Sequence, residues 1–225
     1  MPIVVGYAPA NLQNLGLTAG SCFKPVSAQK VDLIDMKGVG YDGEAGGEIQ
    51  IQTLNEYGQT QATYFWYDIP SEDILGWFDL SEEPLNRGDV EIQAGEGLWV
   101  YCAADGLGLQ SSGEVPQSKV IVELQESGLS VANPTPVTVD LIDCCVSGYE
   151  EGAGGEVQVQ TLNEYGQTQA TYFWYDIPDE DILGWFDLSE EPLNRGDVTM
   201  APGAGLWTYC SADGFNFEFP GVDVK

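Results

Sequence analysis

The sequence of this chain contains two similar copies of one segment, and this internal repeat limits the folds that the chain can adopt. Residues 52–89 match residues 160–197 at every position but one. The offset of 108 residues continues into the flanking segments, and further upstream it becomes 112. A unit of that length has the size of one small domain. We therefore predict two homologous domains, residues 1–111 and residues 112–225.

The two copies differ unevenly, because their middle segments are nearly identical while their first thirds have diverged. Recombination between the copies would produce this pattern without any functional cause. A requirement that both middle segments present the same surface would produce it as well. The sequence alone leaves both explanations open.

Short alternating segments separated by turn residues predict an all-β fold. Residues 47–54 alternate apolar and polar side chains, which is the period of a half-buried strand. Turn-forming residues follow at 55–59, and residues 60–67 are rich in β-branched and aromatic side chains, so we expect a hairpin. Residues 70–76 carry a helix signal of one or two turns. Each copy should hold six to eight strands in a small antiparallel β-barrel or β-sandwich. Further predicted strands are residues 31–35, 90–93, 98–103, 119–124 and 215–219.

The composition excludes several classes of function. The chain carries 36 Asp and Glu against 7 Lys and Arg, so its formal net charge is −29. Binding to nucleic acid or to an anionic membrane needs a basic face, and the basic residues of this chain never cluster. The chain has no histidine, which removes Ser-His-Asp and Cys-His catalytic sites and histidine-bound metals. We predict a non-enzymatic protein with no cofactor and with neither nucleic-acid nor membrane partners.

The cysteines indicate a reducing compartment. Their number is five, and an odd count argues against a closed disulfide framework. Cys144 and Cys145 are adjacent, so on a strand they would point to opposite faces. We expect reduced, buried thiols in a chain made in the bacterial cytoplasm without a signal peptide, since the first residues lack a basic region followed by a long apolar one.

Aromatic and turn residues supply the first candidate sites. The aromatic run at residues 64–67, with Trp77, Phe78, Trp99 and their equivalents up to Trp207, could stack on sugars. Alternating aromatics equally form the core of a small β-domain, which is the interpretation we favour; exposure of Trp66, Trp77 and Trp99 on one face would instead favour sugar binding. The tripeptide Arg-Gly-Asp occurs at residues 87–89 and 195–197, and integrins recognise this tripeptide in other proteins. The preference of glycine and aspartate for turns explains its residues equally well. We expect its arginine to form a local ion pair. The candidate interaction surface comprises Tyr57, Trp66, Trp77, Arg87, Asp89, Tyr165, Trp174, Trp185, Arg195 and Asp197.

An acidic stretch that occurs in both copies is the second candidate. Its carboxylates could bind calcium through oxygen ligands or serve glycoside hydrolysis as a pair. Their spacing does not match an EF-hand loop, and a solvated acidic face explains them equally. We favour the solvated face. The residues concerned are Glu72, Asp73, Asp79, Glu82 and Glu83, with their equivalents in residues 180–191.

The order of several short motifs resembles uncharacterised tandem β-domain proteins of bacteria and their phages. The motifs are Val5-Gly6-Tyr7, a Leu-x-x-Gly segment, Tyr-x-Trp-Tyr, Gly-Trp-Phe, Pro-Gly-x-Gly-Leu-Trp and a closing Ser112-Gly113-Glu114-Val115. The resemblance implies two β-domains and no catalytic activity. The lack of an export signal departs from the exported members of that group.

We expect a structural protein that acts through assembly, as a surface or decoration subunit of a phage capsid or tail. Tandem copies give pseudo-symmetry that suits a homo-oligomer in a lattice, and the acidic exterior places the chain on the outside of a particle. Its partners would be itself or other particle proteins. The alternative is a bivalent glycan-binding or adhesin-like module, in which two sites raise avidity. A carboxylate hydrolase is the third interpretation.

Overall fold

The fold is known from a computed structural model and is all-β, as predicted. The helices that it describes are three-residue 3-10 helices at Pro70–Glu72, Leu141–Asp143 and Pro178–Glu180. None of the helices in the described residues is long and apolar enough to cross a membrane. The model describes residues 10–11, 18–19, 31–32, 36–41, 43–55, 59–81, 83–92, 95, 97–103, 107–111, 117–124, 126–135, 137–148, 153–162, 167–189 and 192–222.

The described part of each half contains eleven strands, more than the six to eight predicted, because many strands are only two residues long. The strands of the first half are β1 (Ala10–Asn11), β2 (Thr18–Ala19), β3 (Val31–Asp32), β4 (Met36–Val39), β5 (Ala45–Leu54), β6 (Thr60–Ile69), β7 (Ile74–Asp79), β8 (Leu85–Asn86), β9 (Glu91–Ile92), β10 (Trp99–Cys102) and β11 (Gly108–Ser111).

The second half repeats this series of strands. They are β12 (Val120–Glu123), β13 (Ser127–Ala132), β14 (Val139–Asp140), β15 (Cys145–Ser147), β16 (Ala153–Leu162), β17 (Thr168–Ile177), β18 (Ile182–Asp187), β19 (Leu193–Asn194), β20 (Thr199–Met200), β21 (Gly205–Cys210) and β22 (Asn216–Phe219).

The sheets of the two halves have equivalent strand orders. A six-stranded antiparallel sheet runs β2-β10-β5-β6-β7-β8 in the first half and β13-β21-β16-β17-β18-β19 in the second. A three-stranded sheet runs β1-β11-β4 or β12-β22-β15, and a two-stranded sheet pairs β3 with β9 or β14 with β20. Each half thus forms the same set of sheets. The division into two domains at residue 111 stays a prediction.

Each half also has its own hydrophobic cluster. One cluster contains Ile49, Ile51 and Trp77 of the first half, and the other contains Val157 and Val159 of the second half among its members. These isoleucines and valines alternate with polar residues along β5 and β16, so one face of the six-stranded sheet is buried and the other is not. The predicted hairpin is present as β5 and β6, which pair antiparallel.

The helix predicted at Pro70–Gly76 is shorter than expected. It ends after Glu72, because Asp73 adopts a left-handed conformation with φ of 58° and its N–H donates to the carbonyl of Pro70. The chain then enters β7 at Ile74, where Gly76 pairs with Tyr67 of β6. Cross-strand pairing overrides the local helix signal at these residues.

The cysteines agree with the prediction where the structure describes them. Cys102, Cys144, Cys145 and Cys210 are free thiols, and Cys22 lies outside the described residues. Cys144 is buried and Cys145 is half-buried, so the adjacent pair points in different directions. Burial raises the pKa of the Cys144 thiol, which keeps it protonated.

Candidate functional site

Four tryptophans of the predicted interaction surface lie in the core, so their assignment to a surface is wrong. Trp66, Trp77, Trp174 and Trp185 are at most 4% exposed. The strand pairs Trp66–Trp77 and Trp174–Trp185 make edge-to-face ring contacts at centroid distances of 5.4 and 5.3 Å. The indole N–H of Trp77 donates to the carbonyl of Met36 at 2.9 Å. The aromatic run therefore supplies the core, which is the interpretation that we favoured.

The two Arg-Gly-Asp turns form the local ion pairs that we expected. Arg87 Nε lies 3.5 Å from Asp89 Oδ1, and Arg195 Nη2 donates to Asp197 Oδ2 at 2.8 Å. The guanidinium of Arg195 also lies over the ring of Tyr172, at 5.6 Å from its centroid. Arginine and aspartate of each tripeptide thus lie beside each other, while the side chains of Asp89 and Asp197 stay 76% and 73% exposed.

The other predicted site residues lie only partly within the described residues. Tyr57 and Tyr165 lie outside the described residues, as does Glu82 of the acidic stretch. Glu72 and Asp73 are exposed on the 3-10 turn. Among the described residues, no group of three or more Asp, Glu, Cys or His is placed to hold a metal ion. The described part of the stretch therefore has the character of a solvated acidic face.

The structure reveals a feature that the sequence analysis missed, namely exposed leucines at one edge of each six-stranded sheet. Each of these leucines is between 41% and 59% exposed, and all lie on or beside the two outermost strands, β7 and β8 or β18 and β19. Exposed apolar side chains that recur together mark contact surfaces. We call the two groups the leucine edges; they are Leu75, Leu80 and Leu85 in the first half and Leu183, Leu188 and Leu193 in the second.

Local hydrogen bonds fix the geometry of each leucine edge. The side-chain amide of Asn86 donates to the carbonyl of Leu75 at 2.9 Å and so clamps β8 onto β7. It lies directly over Gly76, where a Cβ atom would stand 2.7 Å from the Asn86 amide, and where φ is +132°. Glycine is required there because both the space and the backbone conformation exclude a larger residue. The second half repeats this clamp with Asn194 and Leu183 at 3.0 Å.

The rim of each leucine edge is acidic. Glu72, Asp73 and Glu83 are exposed beside the first edge, and the only nearby base in that segment, Arg87, is engaged by Asp89. The second edge has the same surroundings, with Asp179, Glu180 and Asp181 exposed beside it. Each edge thus places exposed leucines beside exposed carboxylates.

A cleft lies where the two halves meet. The indoles of Trp99 and Trp207, at equivalent positions in the two copies, are half-buried with ring centroids 6.3 Å apart and an interplanar angle of 53°. Nearby, the N–H of Ala132 donates to the carbonyl of Gly95 at 2.8 Å, which joins the two halves through the backbone. A cleft of about 220 Å³ opens beside the indoles, and we call it the junction cleft. Its lining residues are Trp99, Gln160, Leu162, Thr168 and Trp207.

Sequence signals for both features are weak. Leu80 and Leu85 flank an acidic turn, where an apolar residue has no role in a core, and this pattern could have indicated the leucine edges. Trp99 and Trp207 follow the same Gly-Leu motif, but nothing in the sequence shows that they meet. Their approach depends on how the two halves pack, which periodicity does not encode.

Comparison with known proteins found no similarity: no family model, no curated protein and no solved structure matches this chain. The function must therefore be argued from the surfaces described above.

Proposed function

We propose that this chain is a non-enzymatic structural subunit that attaches to a particle, such as a phage virion, through its two leucine edges. The observation that carries this proposal is the recurrence of three exposed leucines at equivalent positions of both sheets. Both sets fall within the nearly identical segments, residues 52–89 and 160–197. Exposed leucines contribute little to the core, so a contact surface accounts for their presence better than folding does.

The charges around the leucine edges favour a particular partner. An acidic rim attracts a protein that borders its apolar patch with lysine or arginine, and it repels a second copy of this chain. With a net charge of −29, self-association through these edges would bring like charges together. We therefore propose that the edges bind another protein of the particle, one copy at each edge, rather than this chain itself.

Two equivalent edges on one chain explain why the copies are joined. Once the first edge is bound, the second meets its partner at a high effective concentration, provided that the two partner sites have the matching spacing. A regular lattice supplies such repeated sites. The alternative of a bivalent glycan-binding module loses four of its tryptophans, because Trp66, Trp77, Trp174 and Trp185 are buried. Trp99 and Trp207 are half-buried, but their rings meet and so do not form two separate sites.

The experiment that tests this function measures attachment to particles. The tagged chain is expressed in phage-producing bacterial cells, and the particles are isolated on a density gradient. Quantitative mass spectrometry then determines how much of the chain sediments with the particles. We expect a fixed stoichiometry in the parent protein. We also expect loss of at least about nine-tenths of the attachment when Leu75, Leu85, Leu183 and Leu193 are each changed to Asp, since a charge cannot be buried unpaired.

A matched control uses Ile121→Asp, because Ile121 is 59% exposed but lies on β12, away from the leucine edges. This variant should attach like the parent. A parent protein that remains free of all particles, or attachment that the four leucine changes leave intact, would refute the proposal. Circular dichroism of each variant shows whether its fold is preserved.

A further inference from the structure

The junction cleft has the chemistry of a binding site for a neutral carbohydrate, and this use is independent of the leucine edges. In a chain with 36 acidic residues, none of the five described residues that line the cleft is charged. Two of them are indoles, and the others supply one amide, one hydroxyl and one apolar side chain. We propose that the junction cleft binds a single sugar ring of an uncharged saccharide.

The indoles provide the apolar part of such a site. Trp99 and Trp207 are half-buried, in contrast to the four tryptophans of the cores, so part of each ring remains accessible from the cleft. Their rings are tilted at an interplanar angle of 53°, so they form two walls that meet at an angle and not a parallel stack. A sugar ring presents C–H groups on its faces, and these pack against aromatic rings, while its hydroxyls point outward from the edge of the ring.

The polar part of the site is a pre-formed pair. The Thr168 hydroxyl donates to the Gln160 amide oxygen at 2.9 Å. By their chemistry, the Gln160 amide then has two N–H donors and the Thr168 oxygen has its lone pairs for a ligand. Neighbouring hydroxyls of a sugar both donate and accept hydrogen bonds, so they match this pair. A charged ligand would find no counter-charge among the lining residues that the structure describes.

The position of the polar pair follows from strand register. Gln160 of β16 pairs with Trp207 of β21, so the amide lies beside the indole on the same face of the sheet. Thr168 begins β17, directly across the hairpin from the end of β16. The hairpin thus supplies the amide and the hydroxyl, β21 supplies the indole of Trp207, and the first half contributes Trp99 across the junction.

The size of the cleft limits the ligand. A volume of about 220 Å³ is below the roughly 300–1,000 Å³ of pockets that enclose drug-sized molecules. One ring would therefore be held, with the rest of a longer saccharide outside. A proline-rich peptide also packs on tryptophans, but it needs an extended groove along several residues.

The test measures binding of neutral monosaccharides and disaccharides, including glucose, galactose, mannose and N-acetylglucosamine, to the full-length chain. Binding is followed by ligand-observed nuclear magnetic resonance and by tryptophan fluorescence. The proposal predicts saturable binding of at least one of these sugars. Trp99→Ala or Trp207→Ala should weaken it roughly tenfold, since each removes an aromatic contact together with part of the cleft wall.

The chain offers a matched control for the polar pair. Thr60 and Gln52 are the equivalents of Thr168 and Gln160 and form the same hydrogen bond at 3.0 Å, but they do not line the cleft. Thr168→Val should weaken sugar binding roughly threefold to tenfold through loss of one hydrogen bond, whereas Thr60→Val should leave it unchanged. Both changes are nearly isosteric, so the comparison holds even if the tryptophan variants loosen the junction.

Four outcomes would overturn this inference. They are no saturable binding of any neutral sugar, binding that neither Trp99→Ala nor Thr168→Val affects, equal effects of Thr60→Val and Thr168→Val, and binding of a proline-rich peptide in place of sugars. Attachment to particles depends on other residues. Its failure and the failure of sugar binding can therefore be told apart.

Discussion

The segments that carry the leucine edges make the same side-chain hydrogen bond in both halves, whereas the three-stranded sheets differ in the side chains that pack in them. In the first half Asn86 donates to Leu75 at 2.9 Å, and in the second half Asn194 donates to Leu183 at 3.0 Å. The segments that carry the leucine edges are therefore equivalent in structure as well as in sequence.

The three-stranded sheets have changed at matched positions. The buried Phe217 of β22 stands where the first half has Leu109, and it contacts Trp185 at a centroid distance of 5.7 Å. Val146 of β15 stands where the first half has Gly38. One fold thus tolerates two different ways of covering the same tryptophan pair, while the leucine edges stay the same. The freedom to vary lies away from the surfaces that we propose to be functional.

Removing a core tryptophan has the largest expected effect and tests whether the halves are separate domains. Trp185→Ala should destabilise the second half by about 3–5 kcal/mol, because it deletes a buried indole and leaves a cavity. Trp77→Ala should do the same in the first half. Hydrogen exchange followed by mass spectrometry should show lost protection in the half that carries the change and retained protection in the other.

The exposed Leu183 provides the control, since Leu183→Ala should leave exchange in both halves unchanged. If Trp185→Ala lowers protection equally in both halves, the chain unfolds as one cooperative unit and the predicted domain division is wrong.

Gly38 marks a point at which the two halves differ in packing. A Cβ atom on Gly38 would lie 2.5 Å from Cδ1 of the buried Trp66 ring, so Gly38→Ala forces the indole to move. We expect a destabilisation of about 1–3 kcal/mol from this overpacking, measured by chemical denaturation. The second half carries the larger Val146 at this position, so its tryptophan must be packed differently.

Gly46 is the matched control for this change. A Cβ atom there would be 3.8 Å from Glu48 Oε1, and the backbone has no positive φ. Gly46→Ala should be neutral or slightly stabilising, because it reduces the conformational entropy of the unfolded chain. If both glycine variants are equally stable, the close contact at Trp66 does not limit the first half.

Local patterns in the sequence were sufficient for the all-β fold and for the central hairpin. Alternation along residues 47–54 and 60–67 predicted the hairpin, and the strand register that pairs Trp66 with Trp77 places both inside. The helix predicted at residues 70–76 is too long, because Gly76, which we expected to end it, belongs to β7. Local propensity cannot register that Gly76 pairs with Tyr67.

The candidate sites were less accessible to prediction, because they depend on what remains uncovered after folding. Leu75 shares the side of β7 that Trp77 occupies, yet it is exposed while Trp77 is buried. Only the arrangement of the sheets decides this difference. The junction cleft requires Trp99 and Trp207 to meet across 108 residues of chain, which no periodicity indicates.

The three-stranded sheet of the second half contains an ion pair that the residues at the equivalent positions of the first half cannot form. Removing this ion pair should have the smallest of the predicted effects on stability. Lys119 Nζ donates to Glu218 Oε2 at 2.7 Å, and the thiol of Cys145 donates to the same oxygen at 3.4 Å. The first half has Gln110 and Lys37 where the second has Glu218 and Cys145. Glu218→Gln therefore gives the second half the glutamine of the first.

The hydrogen bond from Lys119 holds the pKa of Glu218 below its usual range. A carboxyl group whose pKa is lower in the folded state stabilises the fold above its unfolded pKa, and this contribution disappears as the pH falls through the folded pKa. Glu218→Gln should therefore cost about 1 kcal/mol or less near neutral pH, since Lys119 is mostly exposed, and nothing in strong acid. Denaturation midpoints of the parent and of Glu218→Gln, measured from neutral pH to strong acid, give the difference in stability between them. The control Glu123→Gln on β12 changes the net charge equally but should leave the dependence of stability on pH unchanged. If the cost of Glu218→Gln stays constant into strong acid, then packing, not the ion pair, distinguishes the two sheets.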